Sequence, residues 1–145
     1  MAIAEKWKGF ASLPPDLQAR LEGLPRLLEE RGVALAYLFG SAASPSSGRE
    51  VRDVDLAILT DGDPVEGLRM DIQDALGTER LDLVDLSGAG PVLRFEVVRA
   101  GGLLYARDDE TLNRFEIETL HVYRDTAPMR RRQAEYLRER MRRWS

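Results

Sequence analysis

The sequence predicts an α/β fold, a sheet with helices on its faces followed by a helical C-terminus, and three observations carry that reading. Short apolar, β-rich runs ("VALAYLF", "DVDLAILT", "RLDLVDL", "LLYA") alternate with segments whose apolar residues recur at helical spacing. Glycine marks most of the changes of period. Beyond Asp108 the pattern is helical, with a break near Pro128. At 145 residues the chain has room for one sizeable core. Residues 1–107 are expected to form that core with an N-terminal helix, and residues 108–145 a helical extension of the same domain.

Each element has its own signal. Pro14, Pro15 and Asp16 suit a helix start, and Leu17, Leu21, Leu24, Leu27 and Leu28 follow at helical spacing until Gly32. Pro25 is expected to kink or divide this helix. "VALAYLF" is nearly continuous in apolar residues and reads as a buried strand ending at Gly40. "DVDLAILT" reads as the next strand, with Asp61, Gly62 and Asp63 as its turn. Pro64 to Leu76 is expected to be helical, with Val65, Leu68, Ile72, Ala75 and Leu76 on one side and Gly77 as the cap. "RLDLVDL" is a third strand, "GPVLRFEVVRAGG" a short helix closed by glycines, and "LLYA" a brief last strand. In the tail, Leu137, Met141 and Trp144 fall at i, i+4 and i+7, the stripe of an amphipathic helix. That stripe is expected to pack on its own domain; the alternative is that it docks a partner.

Composition removes several chemistries. Cysteine is absent, which excludes disulfides, thiolate nucleophiles and Cys-based zinc sites. His121 is the only histidine, so no His-rich metal site can form. No apolar run is long enough to cross a membrane, and the opening "MAIAEKWKGF" is too polar for a signal peptide, so a cytoplasmic protein is expected. The formal charge of −4 is unevenly spread: from Pro128 to Ser145 seven arginines face only Glu135 and Glu139, a net +5, which leaves −9 for the rest. An acidic body with a basic arm does not suit a general nucleic-acid binder, whereas the arm suits an acidic partner.

The chemistry concentrates in "LFGSAASPSSGREVRDVDLAIL". Side chains at i and i+2 of a strand share a face, so Asp53 and Asp55 project together at its start. Two carboxylates about 4 Å apart repel by roughly 4 kcal/mol at an effective dielectric near 20. A divalent cation offsets that cost, and Mg²⁺, which takes carboxylates together with phosphate oxygens, suits the pair. The simpler alternative is a solvated strand end. Upstream, Gly40 allows a sharp turn, and the Ser41 hydroxyl with neighbouring N–H groups could hold phosphate oxygens or could cap a short helix. No Gly-Lys-Ser/Thr occurs, which excludes a Walker A loop, and "GAG" at Gly88 to Gly90 lacks the third glycine of a dinucleotide fingerprint. Asp82 and Asp85 are three apart, so only one of them can share a face with the pair.

Gly40-Ser41, eleven residues, then Asp53-Val54-Asp55-Leu56 resembles the signature of the polymerase-β-type nucleotidyltransferases. Within that superfamily the short chain resembles the minimal nucleotidyltransferases, the MNT or MntA-like antitoxins, from about Val33 to the C-terminal helices. In that family a third acid stands on a later strand within Val/Leu-Asp-Leu-Val, and the pattern selects Asp82 in "RLDLVDL". The resemblance implies a small mixed β-sheet flanked by helices, the nucleotidyltransferase fold. It further implies that Asp53, Asp55 and Asp82 bind two Mg²⁺ ions, that Gly40 and Ser41 hold the outgoing pyrophosphate, that ATP is the donor, and that a tyrosine of a HEPN-domain toxin accepts AMP. The chain departs from the family in its loop: "AASPSSG" lacks the usual Arg-Gly, and Arg52 stands where Ser or Thr commonly precedes the first Asp. The runner-up reading is therefore an antitoxin that keeps the fold and masks a HEPN toxin by binding alone. A third reading, transfer to a small molecule such as an aminoglycoside, is disfavoured because the chain is short for the further domain such enzymes use. Arg114, six residues, then His121-x-Tyr123 loosely resembles the HEPN ribonuclease motif, but the strands before Arg107 leave too little chain for that all-helical bundle. The sequence leaves open whether the chain also forms a homo-oligomer.

Overall fold

A computed structural model describes residues 13–40 and 53–144 of the protein. Its elements in chain order are α1 (Leu17–Glu30), β1 (Val33–Phe39), β2 (Val54–Thr60), a 3-10 turn (Val65–Leu68), α2 (Arg69–Leu76), β3 (Leu81–Asp85), α3 (Pro91–Ala100), β4 (Gly102–Ala106), α4 (Asp109–Asp125) and α5 (Ala127–Arg143). The sheet runs β3-β2-β1-β4, with β1 antiparallel to β2 and β4, and β2 parallel to β3. This is the small mixed sheet flanked by helices that the resemblance implied.

Alternation along the strands divides the core in two. Leu56, Ile58, Val54, Ala36 and Leu81 point to the side where Leu21, Leu24 and Leu28 of α1 and Ile72 and Leu76 of α2 bury. Leu35, Tyr37 and Ala57 point to the other side, against Val97 of α3 and Phe115 of α4. Helices on both faces explain why β1 reads as a nearly unbroken apolar run. Leu24 is fully buried, so Leu24→Ala is expected to cost about 2–5 kcal/mol, read from a urea unfolding midpoint.

Pro25 does not divide α1, which continues through it to Glu30. An internal proline costs about 3 kcal/mol, and burying Leu21, Leu24 and Leu28 contributes roughly 2 kcal/mol each, so the packed face prevails. The predicted helix from Pro64 forms in two parts, a 3-10 turn and then α2, capped by Gly77 in the left-handed conformation at φ 70°.

Tyr37 joins the second core to α4. Its hydroxyl donates to Glu116 Oε1 at 2.8 Å. Burial, then the bond to Glu116 and its charge, raise the phenol pKa well above the ordinary value. The folded state thus holds this proton more tightly than the unfolded state does. The stabilisation is complete below the unfolded value near pH 10 and is lost as pH rises towards the folded value. Tyr37→Phe is expected to lose about 1.5 kcal/mol at pH 7, and the gap from wild type should shrink above pH 10 in denaturant titrations.

The tail departs from its expectation. α5 has no buried residue, and Leu137, Met141 and Trp144 are exposed, so the stripe does not pack on its own domain. The reason lies at the joint with α4. The Tyr123 ring stacks on Phe95 with centroids 3.8 Å apart, and the Arg130 guanidinium lies 3.9 Å from the centroid of the Tyr123 ring while donating to the Tyr123 carbonyl at 2.8 Å. These contacts set the direction of α5 at its first turn.

Candidate active site

Three carboxylates meet at one end of the sheet. Asp55 lies one residue into β2, opposite Phe39 at the end of β1 and in register with Asp82 of the parallel strand β3. In-register neighbours on adjacent strands point to the same side, and Asp53 joins them two residues upstream of Asp55. One oxygen from each of Asp53, Asp55 and Asp82 lies within 4.8 Å of the others, and all three residues are half-buried. A set of hard oxygen donors this close suits a divalent cation that shares its remaining positions with phosphate. The site faces the same side of the sheet as α3 and α4, since Asp55 and Asp82 share a strand face with Ala57 and Val84, two residues further on.

Gly40 closes the site at the end of β1. Its φ of 72° is left-handed, and a Cβ placed there would press into Asp55 Oδ2. Only a residue without a side chain lets the backbone approach the carboxylate this way. Ser41 and Arg52, together with the "AASPSSG" loop, lie outside the described residues.

Of the two acids on β3, Asp82 joins the pair and Asp85 does not. Asp85 is exposed and accepts from the Ser87 N–H at 3.0 Å and the Ser87 hydroxyl at 2.6 Å, a local turn. His121 is exposed on α4 and is not among these acids.

The sequence reading missed Arg69. From the first turn of α2 it donates to the Leu81 carbonyl at 3.0 Å, one residue before Asp82, and to Glu66 at 3.0 Å. Its bond to Glu66 first, and the charge of Asp82 more weakly, raise its pKa. No motif marks it, because its place depends on the turn that brings α2 back to the start of β3.

A sheet that gathers carboxylates from two strands beside a glycine bend suits metal-assisted chemistry on phosphate esters. The family model described as polymerase beta, nucleotidyltransferase matches residues 22–110, and the chain belongs to that family. No protein among those of curated function matches it. Among solved structures it is similar to a chain of the complex of tri-AMPylated Shewanella oneidensis HEPN toxin with MNT antitoxin, at 26% identity and a TM-score of 0.65, over 83% of this chain and 98% of that one. A toxin–antitoxin complex with AMP-PNP gives 26% identity and a TM-score of 0.64 over 81% and 97% of the two chains. The toxin–antitoxin MntA–HepT gives 25% and 0.63 over 83% and 97%. The likeness is thus to MNT and MntA antitoxins. Among the described residues no helix is long and apolar enough to cross a membrane.

Proposed function

We propose that this chain transfers AMP from ATP to a tyrosine hydroxyl of a HEPN-domain toxin, and so acts as that toxin's antitoxin. The observation that carries the reading is the meeting of Asp53, Asp55 and Asp82 within 4.8 Å. The similar structures support it: one holds a toxin AMPylated three times and another holds AMP-PNP.

Asp53, Asp55 and Asp82 fit two Mg²⁺ ions, since their oxygens are hard donors and three carboxylates this close favour positive charge between them. When bound, Mg²⁺ neutralises the triphosphate and lowers the pKa of the acceptor hydroxyl. The chain's own residues do the positioning. Gly40 lets the backbone come close to Asp55, and Gly40 with Ser41 holds the outgoing pyrophosphate. Asp82, on the neighbouring strand, favours loss of the acceptor proton. The acceptor oxygen attacks the α-phosphorus in line, the new O–P bond forms, the bond to the β-phosphate oxygen breaks, and pyrophosphate leaves. Residues 1–107 carry this chemistry, residues 108–145 extend the same domain, and the use of ATP suits the cytoplasm.

The test is incubation of the full chain with Mg²⁺, labelled ATP and a purified cognate HEPN-domain protein. Label and added mass are expected on the HEPN protein. Binding without label from any nucleoside triphosphate would instead make the chain a masking antitoxin.

A further inference from the structure

Helix α5 displays an apolar stripe that its own chain leaves uncovered. Trp144 is 87% exposed and Met141 72%, and with Leu137 and Arg140 they line one concavity along the helix. A contiguous apolar surface displayed in water marks an interaction site. Helical spacing puts Arg138 on one flank of the stripe and Arg140 on the other, and among the described residues neither is bridged to a carboxylate. The Phe95–Tyr123–Arg130 stack holds the first turn, so little orientational freedom remains to be lost on binding.

The complement of this surface lies on the body of the same chain. A groove of about 390 Å³ follows α2 and the turn after it, lined by Met70, Gln73, Asp74, Gly77, Thr78 and Glu79. Met70 is 74% exposed and supplies an apolar wall. Asp74 and Glu79 are exposed and hold no ion pair among the described residues, while Arg20, the cation beside Gly77, is already bridged to Asp16. The groove is therefore acidic, as is the whole body, which carries −9 against +5 on the arm.

Within one chain the two surfaces do not meet. α2 packs on the side of the sheet that buries α1, whereas α5 leaves from Tyr123 on the side of α3 and α4, and among the described residues none of α5 lines the groove. Pairing α5 with α5 would cover the stripes but set arginines against arginines. In the groove of a second copy the stripe meets Met70 and its flanking arginines meet carboxylates, so apolar contact and charge are answered together. At 1.5 Å per residue α5 is about 25 Å long, enough to lie across the shorter α2, and two such contacts about a twofold axis close into a dimer.

We propose that α5 docks in the α2 groove of a second copy of this chain, with Leu137, Met141 and Trp144 against Met70, and Arg138 and Arg140 facing Asp74 and Glu79. The contact does not depend on the transfer of AMP.

The test is sedimentation velocity of the full chain over a range of concentrations, with circular dichroism to check the fold. Wild type should dimerise below about 100 µM, and less tightly as salt rises. Three double variants should each weaken the dimer about tenfold or more: Leu137→Asp with Met141→Asp on the stripe, Arg138→Glu with Arg140→Glu on its flanks, and Asp74→Lys with Glu79→Lys on the groove. All six residues are exposed, so little packing is lost. An equimolar mixture of the arginine and groove variants should pair again, because both exchanged contacts then join opposite charges. A wild type that stays monomeric at about 100 µM would overturn the proposal and leave α5 to another partner. A dimer that the groove variant does not weaken would also overturn it, by placing arm on arm, and so would a mixture that fails to pair.

Discussion

Asp53→Ala combined with Asp55→Ala is expected to reduce AMP transfer by about three orders of magnitude or more, with the fold retained. Both residues are half-buried and belong to neither apolar cluster, so little packing is lost. What disappears is two of the three oxygens that meet within 4.8 Å, and Asp82 alone cannot gather a cation and the nucleotide phosphates. Label transfer measures the loss, and a thermal transition within a few degrees of wild type shows that the sheet is intact. Transfer near the wild-type rate would remove the acids from the chemistry.

Gly40→Ala is the second large effect. The left-handed φ of 72° costs an ordinary residue about 1–2 kcal/mol, and the new methyl would displace the Asp55 carboxylate from the other two. A displacement on the order of 1 Å in a phosphoryl-transfer site costs about a hundredfold, so transfer should fall by about that factor. Gly32→Ala is the control. Gly32 has nearly the same φ, 71°, with no atom near its missing Cβ, so it should lose stability alone and leave transfer unchanged. Equal transfer by the two variants would mean that the approach of Gly40 to Asp55 does not matter.

Much of the site was legible because its logic is local. Period two puts Asp53 and Asp55 on one face, the odd spacing of Asp82 and Asp85 lets only one of them join, and glycine at the end of β1 marks the turn beside them. What spacing could not supply is the parallel register that sets Asp55 opposite Asp82, which depends on strands far apart in sequence; there the resemblance, not the pattern, selected Asp82. Arg69 escaped for the same reason, since its reach to Leu81 follows from a 3-10 turn that changes the direction of the chain.

The fold was legible wherever a period was strong, as in β1 and in the helix capped by Gly77. It was not legible where tertiary packing overrode a local rule. Pro25 sits inside α1 because three buried leucines outweigh one proline. The stripe of α5 was identified correctly as amphipathic, yet periodicity cannot say which surface a stripe meets, and the Phe95–Tyr123–Arg130 stack directs it away from the chain's own core. The loop between Ser41 and Arg52, where the sequence departs most from its family, lies outside the described residues.

Electron paramagnetic resonance of Mn²⁺, added to the full chain with and without AMP-PNP, addresses the carboxylate site without any partner protein. Wild type should bind the ion, more tightly with the nucleotide present, and the Asp53→Asn, Asp55→Asn, Asp82→Asn triple variant should leave it free in solution. Equal binding by the two proteins, or none by wild type, would contradict a cation site at the start of β2 and β3.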